Sequence, residues 1–128
     1  MDIVKFADPP ARPAPDGNDI ALRQLQGGDA SSADFVQIVH ATFPPAARLP
    51  MAAAPVGKVY VAALGALAIE QADGVRHVLA PGDSAFVAAG EACAVANAGD
   101  TPAALVVITP APIRQRPDPR QATTFEPR

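Results

Sequence analysis

Residues 82–97, Gly82-Asp83-Ser84-Ala85-Phe86-Val87-Ala88-Ala89-Gly90-Glu91-Ala92-Cys93-Ala94-Val95-Ala96-Asn97, decide how this chain reads. A glycine turn, a short apolar strand, a second glycine turn and another strand follow within sixteen residues. The lead-in Pro81-Gly82-Asp83 fits a tight turn, because proline presets φ and glycine accepts a positive one. The same rhythm of strand and turn runs outward in both directions, which is the pattern of an all-β sandwich or barrel.

Upstream, Val75–Leu79 follows the hairpin signal Asp73-Gly74. Before it, Ala66–Gln71 and Lys58–Ala63 flank Gly65, Ala33–Phe43 stops at Pro44-Pro45, and Ile20–Leu25 ends at Gly27-Gly28-Asp29. Downstream, Ala103–Thr109 is the last expected strand. No segment carries helical periodicity with caps, and the alanines at 52–54 lie in too short a run between Pro50 and Pro55 to hold a helix. About eight antiparallel strands in one small domain leave a closed double sheet as the economical way to hide strand edges.

The barrel is expected over residues 20–110, between a flexible N-terminal arm at 1–19 and a Pro/Arg-rich tail at 111–128. The arm is rich in proline and aspartate, with Ile3, Val4 and Phe6 available to lie against a sheet. The tail carries Arg114, Arg116, Arg120 and Arg128 and reads as a solvated terminus or as a dock for a partner protein.

Of the 128 residues, 49% are apolar but only 5% aromatic, with no tryptophan, so small side chains build the core and leave room for an interior cavity. A net charge of −3 argues against nucleic acid or an anionic membrane as partner, and no apolar run is long enough to span a bilayer. The single cysteine, Cys93, forms no intramolecular disulfide, and the chain shows no secretion signal. The expected compartment is the cytoplasm.

In these features the chain resembles the cupin superfamily, small jelly-roll β-barrels, over roughly residues 35–110. The family's second motif reads glycine, five residues, proline, one, glycine, two, histidine, three, asparagine. Gly82, Ala88, Gly90, Cys93 and Asn97 hold those positions, so both glycines and the asparagine match while the proline and histidine do not. Its first motif carries His-x-His, three or four residues, glutamate, six, and a closing glycine. Counting back from Gly65 puts Lys58 at the glutamate, and either Met51 and Ala53 or Ala52 and Ala54 at the histidines.

The resemblance implies a metal held inside the barrel by three histidines and a glutamate, a set suited to iron, manganese, nickel or zinc. Alanine offers no donor and lysine brings the wrong charge, so that site is degenerate here and no metal cofactor is expected. The resemblance also implies homodimers, and the apolar Ala63-Leu64 before Gly65 agrees with a buried dimer interface.

The same alignment directs Lys58 and Cys93 into one cavity. Their neighbourhood suits either a nucleophilic thiol with an electrostatic partner or an anion-binding lysine beside an inert thiol. Tyr60 shares the strand parity of Lys58 and lines the same wall as an acid or hydrogen-bond donor. Met51 joins the wall, and Cys93, Met51 and His40 make an alternative soft metal site if His40 faces inward. His77 reads as surface, and Arg48 as a surface arginine or one reaching over the barrel mouth.

The function expected is a small-molecule-binding or regulatory module, with Lys58 as anchoring charge and Cys93, Tyr60, Met51 and His40 as candidate pocket residues. One alternative is a metal-independent isomerase or lyase on a sugar or small carbonyl compound, with Lys58 and Tyr60 or Cys93 in acid/base or nucleophilic roles. Another is a structural dimer presenting its tail to a partner.

Overall fold

A computed structural model describes residues 1–15 and 19–111. Among these residues there are ten strands and no helix: β1 Arg12–Pro13, β2 Ala21–Gln26, β3 Val36–Phe43, β4 Arg48–Ala52, β5 Lys58–Leu64, β6 Leu67–Gln71, β7 Arg76–Leu79, β8 Ser84–Val87, β9 Cys93–Asn97 and β10 Ala103–Pro110. One sheet has the order β1-β2-β3-β10-β5-β8 and the other β4-β9-β6-β7. Every pairing is antiparallel. Strands consecutive in sequence repeatedly fall in opposite sheets, which gives the jelly roll its double layer.

The alternation of side chains fixes which face is inside. Ala41 and Phe43 of β3, Tyr60 and Ala62 of β5, Leu67 and Ile69 of β6, Val95 of β9 and Leu105 of β10 are buried between the sheets. Phe43, Leu67 and Leu105 have no exposed surface, and burial of side chains of this size stabilises the fold by about 1.5–3 kcal/mol each. They close one end of the barrel.

Asn97 locks that closed end. It is buried, and its Nδ2 donates to the carbonyls of Phe43 at 3.0 Å and Thr101 at 2.8 Å. Its Oδ1 accepts from the Gly99 amide at 2.8 Å. One side chain thus ties the end of β3 to the β9–β10 turn. Gly65, in the β5–β6 turn, has φ +68°, and a Cβ there would stand 2.8 Å from the Pro102 carbonyl oxygen. Only glycine meets both demands.

Eight of the ten strands lie where the sequence places them, with ends differing by a few residues. β4 and β1 were not foreseen, because prolines sit in both. Pro50 is tolerated because β4 is an edge strand and its register with β9 shifts between Leu49 and Ala52. Pro13 lies in the other sheet's edge strand.

The described part of the arm makes specific contacts with the barrel. Asp2 accepts from the Ser32 amide and hydroxyl, both at 2.6 Å, which holds its carboxyl below the usual range. Arg23 donates to the Pro9 carbonyl at 2.6 Å and lies over the Phe6 ring, 4.9 Å from its centre. Phe6 meets His40 edge to face at 4.8 Å, whereas Ile3 remains exposed. The tail, with its four arginines and its expected docking role, lies outside the described residues from position 112 on.

Candidate functional site

The open end of the barrel is where the inner faces stop being filled by large apolar groups. On β5 the inward row runs Ala62, Tyr60, Lys58, and Lys58 stands across from Val87 of β8 while Tyr60 stands across from Ala85. On the facing sheet the rows end at Cys93 of β9, which pairs with Ala52 of β4 on one side and Gln71 of β6 on the other. A small side chain at each of 52, 85 and 93 leaves space that the core chains do not fill.

That space is a cavity of about 160 Å³ walled by Leu49, Ala52, Lys58, Tyr60, Cys93 and Val95, among others. The Lys58 ammonium sits 5.2 Å from the centre of the Tyr60 ring, a cation–π contact. Tyr60 is buried, and burial first, then the neighbouring Cys93 sulfur through its charge and through hydrogen bonding, push the phenol well above its ordinary pKa. Tyr60 therefore stays protonated and is a donor, not a base. Cys93 is buried and unbridged.

Lys58, Tyr60 and Cys93 are thus brought together, and two other candidates are not. The irregular register of β4 turns Ala52 inward and leaves Met51 exposed, outside the cavity wall. The register of the first motif that places Ala52 and Ala54 at the histidine positions is therefore the one whose first residue faces the cavity. His40 alternates with the buried Ala41 and points to the outer face of its sheet, under Phe6 of the arm. A soft site uniting Cys93, Met51 and His40 has no geometry here. Burial and the adjacent Arg23 hold the His40 pKa below its ordinary value, and its Nδ1 is buried without a hydrogen-bond partner.

Arg48 pairs with Glu70 at 3.4 Å, both half exposed, an arrangement of small energetic consequence. Three residues escaped the sequence reading as lining groups: Gln71, His77 and Glu91 border a second cavity, of about 320 Å³, that also touches Cys93. Parity carried the signal for two of them. Leu67-x-Ile69-x-Gln71 and His77-x-Leu79 each place the polar residue on the inward row, where His77 stands across from the buried Ile69 and is exposed because β7 is an edge strand.

The sequence profile of the cupin domain matches residues 39–109. The chain belongs to the cupin family. Solved cupins of low identity share the fold. The polyketide cyclase RemF from Streptomyces resistomycificus superposes with a TM-score of 0.78 at 18% identity, over 98% of this chain and 94% of that one. An RmlC-like cupin from Shewanella frigidimarina gives 0.69 at 19% identity, over 88% and 92%. A protein described as a predicted oxalate decarboxylase from Thermotoga maritima gives 0.73 at 16% identity, over 86% and 99%. No curated protein sequence matches this cupin.

The metal that cupins commonly hold needs side chains with lone pairs to donate. The positions of its usual ligands carry alanines, a lysine and one thiol, and an ammonium group repels a cation and has no lone pair to give while protonated. Among the described residues no three of His, Cys, Asp and Glu gather as a metal-binding group. The donor set at the four family positions does not fit the family's ion. Also among the described residues, no helix is long and apolar enough to cross a membrane.

Proposed function

We propose that this cupin is a small-molecule-binding module whose barrel cavity takes an anionic or carbonyl-bearing ligand, with the Lys58 ammonium as anchor. The observation that carries the reading is the convergence of Lys58, Tyr60 and Cys93 on one small cavity with otherwise apolar walls. A cation set against apolar walls attracts an incoming carboxylate more strongly than one surrounded by bulk water. Tyr60, held protonated, offers its hydroxyl to the same group, and the thiol adds a polarisable surface.

The experiment is a thermal-shift panel of small monocarboxylates and their neutral amides. A ligand present at a hundred times its Kd stabilises the folded state by about 2.7 kcal/mol, and the carboxylates should raise Tm where the amides do not. Lys58→Met, which keeps the stem and removes the charge, should erase the response.

A second reading is favoured by one feature, the contiguity of Lys58, Tyr60 and Cys93. A cation over a protonated phenol that adjoins a thiol can donate a proton to a developing enolate, as a metal-independent isomerase or lyase requires. Turnover of a small carbonyl compound that is lost in Tyr60→Phe while binding persists would place this cupin among enzymes. Homodimerisation belongs to the same proposal. Phe86, 70% exposed, lies across from Val59 on the outer face of the larger sheet and supports a partner there. Light scattering at micromolar concentration tests it.

A further inference from the structure

We infer that the slot between β7 and β8 is a second subsite of the barrel, one that receives the hydroxyl end of an elongated, mostly apolar molecule whose acidic end lies at Lys58. The inference rests on the reading of Lys58 given above and extends it from an anchor to a substrate class, the hydroxylated aromatic monocarboxylates.

β7 and β8 are the outer strands of their respective sheets and do not pair with each other, so the barrel wall is open between them. Ile69, Leu79 and Val87, all buried, form an apolar floor beneath this opening. Above the floor stand three polar side chains. His77 Nε2 lies 3.3 Å from Gln71 Oε1, so the two hold one another in place. Glu91 is fixed on its turn by accepting the Ala88 amide at 3.0 Å through one carboxylate oxygen.

An apolar floor under a rim of anchored donors and acceptors is how small-molecule sites are built. The rim is also selective. Its carboxylate accepts a hydrogen bond from a hydroxyl and repels a second anion, so the molecule it suits carries one acidic group and not two. The position of that acidic group follows from register. Gln71 stands directly across from Cys93, and Cys93 is a wall of both this slot and the cavity that holds Lys58 and Tyr60.

The slot, at about 320 Å³, is at the lower bound for a small-molecule site, and the Lys58 cavity at about 160 Å³ is below it. A rigid two-ring body passing Cys93 uses both, with its charged end at the ammonium and its hydroxyl at Glu91 and His77.

Three probes separate the features: 6-hydroxy-2-naphthoate, 2-naphthoate and 2,6-naphthalenedicarboxylate, titrated calorimetrically against the intact chain. The hydroxyl probe should bind about tenfold more tightly than 2-naphthoate, the gain of one hydrogen bond to a charged group, and the dicarboxylate more weakly than either. Glu91→Gln with His77→Phe should abolish the hydroxyl's advantage and leave 2-naphthoate within about twofold of its original affinity. Lys58→Met should weaken both monocarboxylates about equally. A hydroxyl probe no tighter than 2-naphthoate, or an advantage that survives the double substitution, overturns the slot while leaving the Lys58 anchor standing. Affinities indifferent to Lys58→Met overturn the anchor and with it the assignment of the two ends. Failure of all three probes to bind at millimolar concentration overturns both.

Discussion

Replacing Asn97 by alanine removes three hydrogen bonds at once, to the Phe43 carbonyl, the Thr101 carbonyl and the Gly99 amide. Each contributes about 0.5–1.5 kcal/mol net, and an acceptor left unsatisfied where water cannot reach costs a further 1–3 kcal/mol or so. The Phe43 carbonyl is the group exposed to that second term, because the bond to it is buried. These terms add to about 2.5–7.5 kcal/mol for Asn97→Ala, and the loss falls in the lower half, about 3–4 kcal/mol, because water can replace the part-buried bonds to Thr101 and Gly99. In a domain of this size that lowers Tm by roughly 12–20 °C, read by circular dichroism in the β region and by urea midpoint.

Asn97→Asp supplies the control. It keeps the acceptor for Gly99 but turns an anionic oxygen toward two carbonyls, so the folded-state pKa of the new carboxyl must rise above its unfolded value. Stability is then best at low pH and is lost as pH rises through the carboxyl's range, opposite to an ordinary paired aspartate. A loss below about 1 kcal/mol for the alanine variant, or an aspartate variant that is more stable at neutral than at acid pH relative to wild type, would refute the role given to Asn97.

Gly65→Ala forces a Cβ into left-handed backbone and against the Pro102 carbonyl. The conformational term alone is about 1–2 kcal/mol, so a total loss above 2 kcal/mol or so is expected, visible as a lower urea midpoint with an unchanged m-value. His40 makes stability depend on pH. Its folded pKa is depressed by burial and by Arg23, so the unfolded chain binds its proton more readily. The stability it allows is therefore complete above the ordinary histidine value of 6.5 and declines as pH falls below it. His40→Gln should flatten thermal stability between pH 7.5 and 5.5 relative to wild type, and an unchanged slope would count against this account.

Much of the fold was legible because its turns depend on few residues. Gly65, Asp73-Gly74 and Pro81-Gly82-Asp83 each mark a turn by backbone demand, and the strands between them followed. β4 was invisible because Pro50 breaks the local strand pattern, and only the edge position and irregular register make it tolerable. The same irregularity decided the fate of Met51. Simple counting along a motif assumes regular alternation, and a bulge reverses it.

His40 posed a different difficulty, since β3 has apolar residues on both faces and the arm supplies a cover for the outer one. Periodicity cannot choose between two apolar faces. That Lys58, Tyr60 and Cys93 share one cavity wall was legible because parity and family motif agreed. Gln71, His77 and Glu91 come from three separate segments, and only the closure of two sheets, with β7 and β8 as their free edges, brings them together.

The proposed anchor is the Lys58 ammonium, which would make the barrel a receptor for an anionic group. It is tested most directly by calorimetric titration of 2-naphthoate and its neutral amide into wild type and Lys58→Met at low ionic strength. Wild type should prefer the carboxylate by at least about tenfold, one charge-assisted contact, and Lys58→Met should bind the two alike. Equal affinities in the wild type, or a preference that survives the loss of Lys58, would contradict it.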